Sequence, residues 1–403
     1  MLIFVYHFHF KEATMENLFE LFRELIERTE TTYLRYLHNE VAWGSRLIAI
    51  VGARGVGKTT MLLQHIKLHH NLSDTLYVNA DDFYFSENKL FDLASTFYKN
   101  GGKYLFIDEI HKYSQWSKEV KMMYDYFTDL QIVFSGSSIL DIYKGSDDLS
   151  RRALTYKLSG MSFREYLNMS QGLQLPAYSL EQIVKNKVEL PGIAHPLLFF
   201  KQYLQGGYYP FYKEMGYSER LRNVINLTLE TDIPIYANMN VSTAKKMKQL
   251  LFIITQSVPF KPNFTKIAQM IDVHRNQVVD YLFYLEKAGI ISQLRNSTKG
   301  LRLLGKVEKI YLNNPNLIYA IAEGTPDLGN IRETLFFNQM EVKNQVASSD
   351  IADFTIENYT FEVGGKNKAQ KQIAEVVYAY VVKDDIEYGY KNVIPLWAFG
   401  FNY

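Results

Sequence analysis

The sequence predicts an α/β core built on a parallel sheet, with smaller helical and mixed regions behind it. Two observations carry this expectation. Five short apolar runs, Leu47–Val51, Thr75–Asn79, Tyr104–Ile107, Gln131–Phe134 and Ala153–Leu158, alternate with stretches of helical spacing. The first of these runs leads straight into a glycine-rich turn that opens a helix. Strands apolar on both sides must be covered on both sides, and crossover helices over a parallel sheet do that.

The chain has 403 residues, 47% apolar and 22% charged, with 30 Tyr and 26 Phe. Such a composition can bury several cores and leaves little room for disorder. It holds no cysteine, which removes disulfides, thiolate zinc sites and a cysteine nucleophile. A net charge of +1 gives no global argument for nucleic acid or a membrane, so such partners must be argued from local patches.

Taken in order, the apolar opening from Met1 to Phe10 is too short to span a bilayer and lacks the basic leader and cleavage site of a signal peptide. Met15-Glu16-Asn17 starts a clean amphipathic pattern with Leu18, Leu21, Leu25 and Ile26 at helical spacing, so Met15 is the expected start and 16–40 read as one or two helices. No other segment approaches a membrane span, and a cytoplasmic protein is expected. The expected domains are an N-terminal extension and helices over 1–40, the sheet over 41–160, a helical region over 161–255, a winged helix over 256–315 and a C-terminal block over 316–403.

Residues 52–59, Gly52-Ala53-Arg54-Gly55-Val56-Gly57-Lys58-Thr59, complete a G-x-x-x-x-G-K-[ST] motif between strand and helix. Its glycines let backbone N–H groups turn inward around phosphates, and the helix N-terminus adds its positive end. Lys58 reaches the β- and γ-phosphates, the Thr59 hydroxyl ligates Mg²⁺, and Thr60 continues the cradle. Asp108 and Glu109 follow the strand Tyr104–Ile107, fifty residues after Lys58. There Asp108 supports the metal and Glu109 orients and deprotonates water, so the pair implies hydrolysis of ATP with Mg²⁺. Ser135, at the tip of the next strand in Ser135-Gly136-Ser137-Ser138, is a candidate γ-phosphate sensor. Asp81-Asp82 read as a cap for the following helix. Arg151 and Arg152, before the last strand, could neutralise the transferred phosphoryl group in cis or in the site of a neighbouring subunit, which makes a homo-oligomer or a protein partner an expectation.

These elements, followed by Leu158-Ser159-Gly160-Met161-Ser162-Phe163-Arg164-Glu165-Tyr166-Leu167, resemble a family of prokaryotic AAA+ ATPases over nearly the whole chain from Met15. The resemblance implies a P-loop NTPase sheet of the additional-strand type, a helical lid, a winged helix and a small α+β domain similar to restriction-endonuclease folds. It also implies phosphate and Mg²⁺ binding by Lys58 and Thr59, hydrolytic acids at Asp108 and Glu109, and an arginine finger in the pair Arg151 and Arg152. The family's glycine-any-proline lid element is replaced here by Gly192-Ile193-Ala194-His195-Pro196.

Between Pro259 and Leu312, Phe264, Ile267, Ala268 and Ile271 form one short helix, and Val278, Leu282, Leu285 and Ala288 a second, before an extended segment from Gly289. Its second helix would present His274, Arg275, Asn276, Gln277 and Asp280 to a major groove. Nine basic residues there against four acidic ones make a phosphate footprint, so DNA is one expected partner and a protein-docking role the alternative. The last block reads helix, strand, tight turn at Glu357-Asn358, strand, helix, strand, with Glu333 on the first helix, Asp353 on a strand and Glu362 on the next. A nuclease of this kind needs a lysine two residues after the second carboxylate. That position is Gly364, which argues a degenerate fold unless Lys366 or Lys368 reaches back. Among the remaining histidines no metal spacing is read: His69 and His70 are adjacent and His111 follows the acids.

Overall fold

The computed structural model describes residues 14–136, 149, 151–234, 239, 241–255, 261–296, 306–321, 325–369 and 373–403. The described residues form two compact units. One holds 14–51, 58–136 and those of 149–157; the other holds 52–57 and those from 158 to 403.

The first unit is a five-stranded, all-parallel sheet. Its strands are β1 (Leu47–Val51), β2 (Thr75–Asn79), β3 (Tyr104–Asp108), β4 (Gln131–Gly136) and β5 (Leu154–Lys157), in the order β2-β3-β4-β1-β5. Every residue of β1 is buried, as a central strand covered on both faces requires. Strand β4 stands between β1, which leads to the glycine turn, and β3, which ends in the acids. That is the additional-strand arrangement, and it puts both ends at one edge of the sheet.

Helix α1 (Met15–Arg28) is capped by Thr14, whose side chain accepts from the Asn17 amide. It buries Leu18, Phe22 and Ile26 and leaves Leu21 and Leu25 exposed. The expected stripe is therefore rotated toward the aromatic residue, which has more surface to remove from water. Helix α2 (Lys58–His69) follows the glycine turn, with Met61, Leu62 and Ile66 buried. After β2 come α3 (Tyr84–Glu87) and α4 (Leu90–Lys99); the Asp82 carboxylate accepts from the Tyr84 amide at 2.8 Å in the turn before α3, whose N-cap position is Phe83. Helix α5 (Trp116–Tyr126) joins β3 to β4.

The second unit opens with α6 (Phe163–Gln171), started by a buried capping box in which Ser162 and Glu165 satisfy each other's amides. Helices α7 (Leu180–Val184), α8 (Pro196–Gly206), α9 (Tyr217–Leu227) and α10 (Val241–Thr255) follow, with a turn of π-helix at Thr228–Asp232. Next, α11 (Phe264–Met270) and α12 (Arg275–Lys287) lead into an antiparallel hairpin of β6 (Ile291–Arg295) and β7 (Val307–Leu312). Helices α13 (Pro315–Ile321) and α14 (Leu328–Glu341) precede a five-stranded mixed sheet of order β12-β11-β10-β9-β8. Its strands are β8 (Val346–Ser348), β9 (Phe354–Ile356), β10 (Tyr359–Gly364), β11 (Ala379–Lys383) and β12 (Val393–Pro395).

Two expectations for this last block change. Asp353 lies in the bend just before β9, not on a strand. The helix expected between β10 and β11 is absent among the described residues, where the chain runs through turns. Gly364 and Gly365 favour turns over a helix start there. No described helix is long and apolar enough to cross a membrane.

Candidate functional site

The glycine turn adopts a conformation that other residues resist. Gly55 and Gly57 have φ of +83° and +98°, and a Cβ on Gly52 would stand 2.4 Å from the Leu158 carbonyl oxygen. Within the second unit, Arg54 donates to both carboxylate oxygens of Asp232, at 3.0 and 3.2 Å, so residues 52–57 are tied to the π-helical turn. Lys58 is 5% exposed at the start of α2, and Thr59 and Thr60 follow it at the surface.

Asp108, 1% exposed at the end of β3, is the centre of the first unit's polar cluster. Its Oδ2 accepts from the Thr59 hydroxyl at 2.5 Å and from the Tyr77 hydroxyl at 2.8 Å. Its Oδ1 accepts from the Ser135 hydroxyl and from the Glu109 amide. The pairing of β2 with β3 aligns Asn79 with Asp108, which brings Tyr77, two residues earlier and on the same face, within reach. Burial, followed by the charge of Asp108, holds the Tyr77 hydroxyl well above the usual tyrosine range, so it stays a proton donor. The oxygens of Thr59 and Asp108 are hard donors of the kind Mg²⁺ prefers, and the preceding amides and Lys58 suit phosphate. The residues therefore fit a magnesium nucleotide.

Glu109 has φ 49° and ψ 38°, a left-handed conformation rare outside glycine and typical of functional sites. Its carboxylate lies 3.5 Å from the buried His111 ring. Ser135, on β4, reaches Asp108 directly. Ser137 and Ser138 lie outside the described residues. Arg151 and Arg152 are not brought together with these groups. They precede Leu154, which pairs with Ile48 near the start of β1, and a strand's length of roughly 15 Å separates that end from the acids. Arg152 instead pairs with Asp125 at 3.2 Å. An arginine acting in cis is therefore not what this geometry offers.

In the second unit, His274, Arg275, Asn276, Gln277 and Asp280 are all exposed at the start of α12. Gln277 is partly engaged, closing a capping box with the His274 amide. The basic footprint is weaker than its count. Arg295 is paired with Glu286 at 3.2 Å, Lys306 with Glu308 at 3.4 Å, and Lys299 and Arg302 lie outside the described residues. Lys309 is turned inward, 3.0 Å from Glu333 and 3.2 Å from Asp353. Glu333 also accepts from the Tyr311 hydroxyl at 2.7 Å, and Asp353 from the Val363 amide at 3.0 Å. Burial, then the neighbouring Asp353, raises Glu333 above its ordinary value. Burial works to lower Lys309, but the two carboxylates outweigh it and hold it protonated. Lys368 does reach back, 2.5 Å from Glu362, whereas Lys366 has no such contact described.

Sequence reading missed Tyr77 and Lys309. For Tyr77 the usable hint was its place two residues before the end of the strand beside the acids. Nothing local marks Lys309, because its partners lie 24 and 44 residues further along the chain.

Comparison with known proteins agrees with the first unit. Residues 44–167 match the family described as an AAA domain, and residues 198–328 match a domain of unknown function, DUF8612. Two uncharacterized proteins of Methanocaldococcus jannaschii are each 24% identical to the chain. One is matched over 64% of this chain and 58% of its own length, the other over 90% and 81%. Among solved structures, a Walker-type ATPase of Pyrococcus abyssi is 12% identical, with 77% of this chain and 97% of that one covered at a TM-score of 0.40. DnaA from Aquifex aeolicus bound to AMPPCP is 14% identical, with 69% and 92% covered at a TM-score of 0.26. The matched family and the geometry of its loop and acids agree on an AAA-type nucleotide-binding domain over residues 44–167.

Proposed function

We propose that the chain is a cytoplasmic, magnesium-dependent ATPase whose hydrolytic cycle drives residues 158–403. The observation that carries this reading is the contact between Thr59 and Asp108 at 2.5 Å, with Glu109 next in the chain. Mg²⁺ held by Thr59 and Asp108 would supply neutralisation of the phosphates' charge. The main-chain amides of 52–60 and Lys58 hold the phosphates, while Thr59 and Asp108 hold the metal. Tyr77 and Ser135 fix the Asp108 carboxylate, so its orientation does not have to be set during the reaction. Glu109 takes a proton from the attacking water, and its fixed left-handed backbone sets where that carboxylate points. Ser135 then acts on Asp108 and not as a direct γ-phosphate sensor. Arg151 completes the site of a neighbouring copy.

Arg54 offers a route for coupling, because it belongs to the phosphate loop and is bonded to Asp232 of the helical region. A phosphate drawing on the loop would change that bond. Turnover measured with Mg²⁺ and with EDTA, on the native chain and on Glu109→Gln, tests the reading; an unchanged rate in Glu109→Gln would sink the assignment of the base.

A second reading adds DNA as the load. The exposed α12 start and its position after α11, before a hairpin, support a winged helix that docks on duplex DNA. The inward turn of Lys309 and the pairing of Arg295 favour a weak, sequence-tolerant contact. Stimulation of turnover by duplex DNA, lost at high salt, is the expected result. Lys309 between Glu333 and Asp353 supports a degenerate nuclease fold, since an ammonium already answers the carboxylates that a metal would need.

A further inference from the structure

Three histidines that are scattered in the sequence converge in the first unit, away from the groups used for nucleotide. His65 and His69 lie one helical turn apart near the end of α2, and His38 comes from the 3₁₀ turn Tyr36–Asn39. Each offers a ring nitrogen, and these atoms all lie within 4.8 Å of one another. His38 and His65 are each 5% exposed, whereas His69 is at the surface. The earlier expectation that these histidines lack metal spacing is thus corrected: His65 and His69 are at i and i+4, a helical ligand pair.

The arrangement is more than a stack of rings. The buried Nε2 of His38 and the buried Nδ1 of His65 have no hydrogen-bond partner among the described residues. Buried polar atoms are nearly always satisfied, so two such lone-pair-bearing atoms in one cluster ask for a ligand. The Nδ1 of His38 lies 3.4 Å from the Asn39 side-chain oxygen Oδ1, which fits a proton on that nitrogen and leaves the lone pair on Nε2, the unpartnered atom. Trp43 stacks on the His65 ring with centroids 3.6 Å apart, and its Nε1 donates to the His38 backbone carbonyl at 2.8 Å, so it ties the 36–39 turn to the His65 ring.

We propose that His38, His65 and His69 form a binding site for a borderline transition-metal cation of the Zn²⁺ type, clamping the 36–39 turn to the end of α2. Three imidazoles without a carboxylate select Zn²⁺, Ni²⁺ or Cu²⁺ over Mg²⁺. Zinc–nitrogen bonds of about 2.0–2.1 Å require the rings to draw closer, which the exposed His69 can do by rotating its side chain. His70 is near but packs edge-on against Tyr104, 4.3 Å between centroids, and is outside the set. The chemistry differs from that of Thr59 and Asp108, whose oxygens suit a hard ion. The site is also independent of whether the chain hydrolyses ATP.

The test uses the full chain without an affinity tag, stripped with EDTA and free of nucleotide. It is titrated with Zn²⁺ in the presence of excess Mg²⁺, and bound zinc is counted by elemental analysis after gel filtration. One retained equivalent and a raised thermal midpoint are expected. His69→Ala, an exposed substitution that should not disturb folding, should weaken binding by at least about tenfold and abolish the thermal shift. Asp108→Asn should keep the equivalent, which separates this site from the nucleotide's metal position. No retained zinc in the native chain, equal retention in His69→Ala, or loss in a folded Asp108→Asn would each overturn the proposal.

Discussion

Asp108, which is buried, and the half-buried pair Glu333 and Asp353 are acids answered in different ways. Asp108 receives the hydroxyls of Thr59, Tyr77 and Ser135 together with one amide. Glu333 and Asp353 receive the Lys309 ammonium between them. Hydroxyls satisfy lone pairs and leave the carboxylate negative, ready for a divalent cation; an ammonium satisfies them and cancels charge as well. Acidic residues alone therefore do not make a metal site. What surrounds them decides whether the charge remains to be used.

The comparison can be broken hardest at the proposed hydrolytic group, Glu109. Glu109→Gln should keep nucleotide binding by calorimetry and lower turnover by about 10²–10⁴-fold, whereas Lys58→Ala should remove binding itself. In the other cluster, Lys309→Met should leave two carboxylates facing each other and reduce folding stability by about 3–5 kcal/mol, read from urea unfolding. Adding Glu333→Gln to it should restore much of that loss. If Lys309→Met is as stable as the native chain, the view of this cluster as a closed ion pair fails.

A smaller effect is expected at Tyr77. Tyr77→Phe removes one hydroxyl donor to a charged acceptor and should lower stability by about 1.5–3 kcal/mol while leaving a folded sheet, measurable by thermal or chemical unfolding. The smallest concerns a third cluster, built of neutral rings. His38, His65 and His70 have pKa values lowered by burial, with neighbouring histidines adding to it and the Asn39 hydrogen bond to His38 and the charge of Asp74 near His70 opposing it. The unfolded chain then takes up protons first, near 6.5, so their contribution is complete above that value and declines as pH falls toward the folded pKa. A thermal midpoint of metal-free protein that decreases from pH 7.5 to pH 5, less steeply in His65→Gln, is the expected result.

Much of this was legible in order along the chain. The phosphate loop is written as consecutive residues, because its chemistry depends on backbone turns and one helix start. The four strands β1 to β4 were visible as apolar runs, because strands covered on both faces hold few polar residues, whereas β5 at the sheet edge is largely exposed and carries polar side chains. The signals failed where the decisive partner was distant or where two faces competed. In α1 the spacing fitted Leu21 and Leu25 as well as Phe22, and packing chose Phe22. Between β10 and β11 the pattern suggested a helix that the described residues do not form. Arg151 and Arg152 could be read as a finger in cis or in trans, and the pairing of β5 with β1, which puts them at the far end of the sheet, speaks only against the first.

By itself the sequence determined the parallel sheet and carried the glycine-rich loop motif and the place of Asp108 and Glu109 at the end of β3, because local backbone geometry and the burial of central strands leave a trace along the chain. Only the tertiary structure decided which groups satisfy those acids, that Lys309 closes the second acidic cluster, and that His38 meets His65 and His69. Such contacts depend on strand register and on the path of the chain between distant elements, and no spacing of neighbouring residues encodes them.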